Sequence, residues 1–133
     1  MLYANPNTAG AKLAFKPRYD NFINGQFVAP ADVATADNWQ LNQMAFMHFV
    51  LAEMGQADPG RMSTLYDVRE RLDNYGRAYL AMALSDEDST DKRIATLMDD
   101  LAGAAATSAT GAWWQESSAD WQTLNTDTRS TAV

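Results

Sequence analysis

The amino-acid sequence predicts a mainly α fold of about four helices arranged as helical hairpins, preceded by an extended arm and a small β-hairpin. Three observations lead there. Residues 59–84, PGRMSTLYDVRERLDNYGRAYLAMAL, place Met62, Leu65, Tyr66, Leu72, Tyr75, Tyr79, Leu80 and Ala83 on a stripe of roughly helical period, shared by the aliphatic stem of Arg69. A second stripe runs through Ile94, Leu97, Met98, Leu101, Ala102, Ala105 and Ala109. Finally, Asn24 and Gly25 stand between the apolar pairs Phe22-Ile23 and Phe27-Val28, and both tolerate the positive φ that a tight two-residue turn demands.

Taken in order, residues 1–18 are rich in Asn, Pro, Gly, Ala and Lys without any period and read as an extended arm. The hairpin follows and Pro30 ends it. A lone pair of strands is marginal in water, so it must dock on helices or on another chain. Residues 31–37 have a linker's composition. Asp37 and Gln40 form a capping-box pair that opens the first helix, which Gly55 stops after Met54. That helix is apolar almost all round (Leu41, Met44, Ala45, Phe46, Met47, Phe49, Val50, Leu51), so a central position is expected. Asp58-Pro59 is an N-cap and first-turn pair for the second helix. A break near residues 73–74 starts the third, with Asp67, Glu70, Arg71 and Arg77 left for solvent. Residues 85–91 form an acidic turn ahead of the fourth helix, whose stripe runs on until Gly111. Its small side chains Ala104, Ala105 and Ala106 would admit a close neighbour. Residues 112–124 lose the period and read as an irregular or extended excursion. Thr126 or Asp127 then caps a last helix, soon after which the sequence stops.

A chain of 133 residues, 47% hydrophobic and 20% charged, suits one globular domain rather than a disordered segment. Its net charge of −7 argues against a nucleic-acid partner. The charge is uneven: residues 1–30 carry Lys12, Lys16 and Arg18 against Asp20, whereas the remainder holds seven basic and sixteen acidic residues. The absence of cysteine excludes disulfides, thiolate metal sites and cysteine nucleophiles. The N-terminus lacks the basic start and apolar run of a signal peptide, and no apolar stretch is long enough to span a bilayer, so a soluble, cytoplasmic protein with no membrane partner is expected.

Two resemblances overlay this reading. The sequence RYDNFINGQFVAP, residues 18–30, looks like the N-terminal strand–turn–strand of aldehyde dehydrogenases, a likeness covering roughly residues 1–32. The resemblance implies no activity by itself, because that family's nucleophilic cysteine, general-base glutamate and dinucleotide-binding domain have no counterpart here. From about residue 38 onward the chain is similar to the thioester domain of bacterial alpha-2-macroglobulins. VLAEMG (50–55), LDNYGRAYLAMAL (72–84), SATGA (108–112) and NTDTRSTA (125–132) carry that likeness. It implies part of an α/α toroid. That family is extracellular or periplasmic and traps proteases through a Cys–Gln thioester, which a chain without cysteine cannot form. The expected organisation is therefore a chimera: residues 1–36 as an aldehyde-dehydrogenase-like arm and hairpin, residues 37–133 as a helical-hairpin domain.

Candidate sites are few. His48 lies inside the apolar first helix with no second histidine a turn away, so a buried, hydrogen-bonded core residue is expected rather than a metal ligand. Residues 86–91 resemble a calcium loop only loosely, since Asp91 stands where glycine is needed and Leu97 where glutamate is. Tyr66, Tyr75 and Tyr79 with Arg69, Arg71 and Arg77 could face an anion, though helix-surface pairing is the commoner use. Asp99 and Asp100 are adjacent on a helix and diverge. No nucleophile-and-base motif or phosphate-cradling loop is present, so neither catalysis nor a cofactor is expected. The best candidate surface is Trp113, Trp114 and Trp121 with Glu116 and Asp120, a set suited to a glycan, a peptide or a protein partner. An incomplete helical ring would expose apolar faces, so a homo-oligomer, dimeric or domain-swapped, is the expected assembly.

Overall fold

The computed structural model describes residues 21–23, 26–28, 32–116 and 126–133. The chain divides into two compact units, Met1–Ala31 and Asp32–Val133. In the first, β1 (Asn21–Ile23) and β2 (Gln26–Val28) pair antiparallel with Phe22 opposite Phe27 and Ile23 opposite Gln26. The arm, the Asn24-Gly25 turn and Pro30 lie outside the described residues.

The second unit is mainly helical. It comprises α1 (Asn38–Glu53), α2 (Pro59–Asp67), a single 3-10 turn (Arg69–Arg71), α3 (Asn74–Glu87), α4 (Lys92–Ala104), the antiparallel strands β3 (Ala105–Ser108) and β4 (Gly111–Trp114), and α5 (Asp127–Ala132). Local chemistry sets the helix starts. Gln40 closes a capping box on Asp37, its Oε1 accepting the Asp37 N–H at 2.8 Å. Asp58 Oδ1 accepts the Arg61 N–H at 3.0 Å, with Pro59 in the first turn. Thr126 Oγ1 accepts the Arg129 N–H at 3.2 Å. Gly55, at φ +68°, turns the chain out of α1 in a conformation that costs glycine little.

The helix at the centre is α3, packed against α1, α2, α4 and α5. The core gathers around its Tyr75, Leu80, Ala83 and Leu84, with Leu41 and Ala45 of α1, Met62 and Leu65 of α2, and Leu97 of α4. Tyr79 sits among Phe46, Phe49 and Tyr75, with ring centroids at 5.1, 5.4 and 6.4 Å. Gly76 is the point of close approach to α1. A Cβ there would lie 3.1 Å from Asn42 Cγ, and Asn42 is fully buried and cannot swing away. Its Nδ2 donates to Asp73 Oδ2 at 2.7 Å and its Oδ1 accepts the Asp73 N–H at 3.0 Å, tying α1 to the start of α3.

Several expectations are corrected. The first helix is not the central one: Met47, Val50 and Leu51 of α1 and Met54 at its C-cap face outward. Residues 32–36 belong to the helical unit and are held to it through Val33 and Ala36, rather than forming a linker. Arg71 donates from Nη1 to the Val33 carbonyl at 3.2 Å and from Nη2 to the Ala36 carbonyl, and Ala36 is buried in the core. Arg71 and Arg77 are accordingly not left to solvent; Arg77 donates to the Arg69 and Glu70 carbonyls at 3.2 and 3.4 Å. The break between the second and third helices is a whole segment containing the 3-10 turn, and α3 absorbs residues 85–87 of the expected acidic turn. Finally, α4 stops at Ala104, not Gly111, because residues 105–108 pair with 111–114. Trp113 and Trp114 therefore lie on a strand, the extended alternative of the expected irregular or extended excursion.

Candidate functional site

The β3–β4 hairpin positions the candidate surface. Alternation along a strand sends adjacent side chains to opposite faces. Trp114 turns toward the helices: its Nε1 donates to the Leu101 carbonyl at 2.7 Å, capping one of the open carbonyls at the end of α4, and its backbone N–H donates to Thr131 Oγ1 at 3.1 Å. Trp113 turns the other way, beside Asp127, Thr128 and Thr131 of α5, and is 39% exposed. The two indoles do not share a face. Asp120 and Trp121 lie outside the described residues.

Glu116 is committed to structure. The first N–H groups of α3 have no partner inside the helix, and the carboxylate of Asp73, which could cap them, is held by Asn42 instead. Glu116 takes that role from a distance in sequence, with Oε2 accepting the Asn74 N–H at 3.2 Å and Oε1 the Tyr75 N–H at 3.4 Å. A carboxylate at a helix N-terminus also meets the positive end of the peptide dipoles. Glu116 Oε1 accepts the Ser130 hydroxyl, and its own N–H donates to Asp127 Oδ1 at 3.0 Å. Neither Glu116 nor Asn74 was singled out from sequence for this task; the only signal is the uncapped start of α3.

Trp113, Trp114 and Glu116 thus line three separate recesses. Trp114 forms one wall of an apolar groove of about 430 Å³, shared with Ala78 and Met82 of α3 and Ile94, Met98 and Leu101 of α4. Glu116 lines a polar cleft of about 290 Å³ with Asp73, Asn74, Arg71 and Arg77. The arginines there already donate to backbone carbonyls, so this cleft is not a ready anion site. Arg69 likewise stacks 4.7 Å from the Tyr66 ring centroid and pairs with Asp100 at 3.4 Å, and Arg129 stacks 4.5 Å from that of Tyr75.

His48 lines none of these recesses. It is buried in α1, yet its Nδ1 makes no hydrogen bond, contrary to the expected hydrogen-bonded core histidine. Burial disfavours the imidazolium and pulls its pKa below the ordinary 6.5; Asp58 opposes the shift and Arg61 adds to it. Among the described residues no cluster of three or more His, Cys, Asp or Glu side chains could hold a metal ion. The acidic turn serves local caps: Asp88 accepts the Thr90 hydroxyl and N–H at 2.7 and 2.9 Å, and Asp91 accepts the Arg93 N–H and side chain. These bonds hold both carboxyls below their ordinary range.

Comparison with known proteins finds likeness in a short, N-terminal-type segment. An aldehyde dehydrogenase of Rhodospirillum rubrum is 58% identical over 38 residues, which is 29% of this chain and 8% of that enzyme. An aldehyde dehydrogenase of Deinococcus radiodurans is 56% identical over 36 residues, 27% of this chain and 7% of the enzyme. An acetaldehyde dehydrogenase of Pseudomonas aeruginosa is 60% identical over 30 residues, 23% of this chain and 6% of the enzyme. The chain therefore spans less than a tenth of the length of the curated relatives it matches. No family model and no solved structure matches. Among the described residues no helix is long and apolar enough to cross a membrane.

Proposed function

We propose that the protein is a non-catalytic helical assembly module whose docking face is the outer side of α1, and whose partner there is a second copy of the chain. One observation carries this reading. Met47, Val50, Leu51 and Met54 recur at the spacing of a single helical face, and Met47 and Met54 are 60% and 68% exposed. Glu53 is the only acidic residue within α1 and it holds no Lys or Arg, so the strong negative charge of the chain does not prevent two such faces from meeting. An isologous pairing about a two-fold axis would bury both stripes at once. Light scattering across a concentration series tests the proposal. A dimer or higher assembly is expected, with Leu51→Glu shifting it to monomer while the helical circular dichroism is kept. A wild-type protein that stays monomeric at high concentration overturns it.

The matched dehydrogenase segment favours a second reading, in which the chain is a remnant or accessory of an aldehyde dehydrogenase acting through residues 1–31. Co-purification with such an enzyme, lost on deletion of those residues, is the expected result. Co-purification that survives the deletion, or none with the full chain, counts against it.

A further inference from the structure

The groove between α3, α4 and α5 has a chemistry of its own, independent of the assembly face on α1. Its volume of about 430 Å³ lies within the roughly 300–1,000 Å³ of small-molecule clefts. Its walls are methylenes, methyls and one indole. Trp114 has its Nε1 already bonded to the Leu101 carbonyl, so the ring it offers the groove is apolar. The rim is built from Met82 and Met98, unbranched side chains that re-pack around a guest, and Met98 is 54% exposed. Among the described residues the polar side chains of the lining are hydroxyls: Ser85, Ser130 and Thr131. Ser130 is held by Glu116, but Thr131 uses its oxygen to accept the Trp114 N–H and keeps an O–H to donate.

Charge decides what fits. Among the described residues no Lys, Arg, Asp or Glu side chain lines the groove. Of the cations close to it in sequence, Arg129 stacks on Tyr75 and lines a different recess, Arg93 is paired with Asp91, Arg77 donates to the Arg69 and Glu70 carbonyls, and Lys92 is not among the lining residues. A carboxylate entering here would lose hydration without gaining a counter-ion, on a chain whose net charge is already −7. An uncharged head group needs only one or two hydrogen bonds, which Thr131 and Ser85 can supply.

We infer that the groove binds a neutral, linear aliphatic molecule of medium chain length, such as an alcohol, with its alkyl chain between Met82, Met98 and Trp114 and its oxygen at Thr131. The test is a titration of the full chain, labelled at its methionine methyl groups, with decanol and separately with decanoate at neutral pH. Saturable shifts at Met82 and Met98 are expected with decanol, at least ten-fold weaker with decanoate, while Met47 on α1 and Met54 at its C-cap stay still. Ala102→Trp, which fills the groove from its exposed side, should abolish the decanol response; Ala78→Leu serves the same end if that variant loses its helical spectrum. The inference is overturned if decanol produces no saturable shift, if decanoate binds as well, or if the α1 methionines respond in parallel, which would mark indiscriminate apolar adhesion. It is equally overturned if Met82 and Met98 shift with protein concentration alone, because the groove would then belong to a second copy.

Discussion

His48 shows how one side chain couples this fold to pH. It is buried in α1 with no hydrogen-bond partner for Nδ1, so only the neutral ring is comfortable there. Its folded-state pKa lies below the ordinary 6.5, with desolvation the main cause, Arg61 adding to it and Asp58 opposing it. The sign follows from linkage. Above pH 6.5 the ring is neutral in both folded and unfolded chains and the contribution to stability is full. As pH falls below that value the unfolded chain takes up a proton first, and stability declines until the folded-state pKa is passed. The urea midpoint should therefore fall between neutral pH and mild acid, and His48→Leu should remove most of that fall. A wild-type midpoint that is flat over the same range refutes the assignment. Asp88 and Asp91 do not confuse the experiment, because their carboxyls titrate below their ordinary 3.8. From sequence His48 reads as a core residue, and it is one; the unmet Nδ1 was not legible, because it depends on what α2 and the neighbouring turns bring near.

At the level of elements, the legible features are those whose chemistry is local. Asp37, Asp58 and Thr126 cap their helices through residues three or fewer positions away, and Gly55 ends α1 by its own backbone freedom. The end of α4 was not legible. The apolar period runs unbroken through Ala105 and Ala109, and nothing local forbids a helix there. What stops it is non-local: Ala105 pairs with Trp114, and the Trp114 indole takes the Leu101 carbonyl that a further turn of helix would have used. The start of α3 is the converse case, a helix whose cap arrives from Glu116 across forty-odd residues. Glu116→Ala leaves two backbone N–H groups and the Ser130 hydroxyl without their acceptor. It should cost about 1–2 kcal/mol, a loss of several degrees in Tm. Glu116→Gln, which keeps an acceptor oxygen but not the charge, should lose less. Thermal unfolding followed by circular dichroism reads both, and an Ala variant as stable as wild type would show that Glu116 is not the cap. The same bonds explain why Glu116 does not join Trp113 and Trp114 in one surface: it is aimed at a helix terminus, and strand alternation separates the indoles.

For the whole molecule, composition and charge shift near residues 31–37, and the sequence alone invites a boundary at residue 36. The packing of the helical unit argues for a cut five residues earlier, where the compact unit Asp32–Val133 begins. Residues 32–36 form a turn in which the Thr35 and Ala36 N–H groups donate to the Asp32 carbonyl at 3.0 and 2.8 Å. That turn presents the Val33 and Ala36 carbonyls to Arg71 and puts Ala36 into the core. Composition could not reveal this, because small residues serve equally well in a linker and in a tight packed turn. The partner that distinguishes the two cases, Arg71, lies more than thirty residues downstream. A fragment of residues 32–133 should keep a cooperative, helical unfolding transition, since Asp37, Asp58, Glu116, Thr126 and the core side chains of α1 to α4 lie within it. A fragment of residues 37–133 removes both acceptors of a half-buried guanidinium and the burial of Ala36, and should be less stable by about 1–3 kcal/mol. Arg71→Met should destabilise the longer fragment, because the Val33 and Ala36 carbonyls lose their donor, and should be close to neutral in the shorter one, where the guanidinium has neither carbonyl left to meet. Urea midpoints of the two fragments, each with and without that substitution, form a closed cycle. Equal midpoints for 32–133 and 37–133 would return the boundary to residue 36. A gap that Arg71→Met closes would identify this clamp as what holds the start of the helical unit in place.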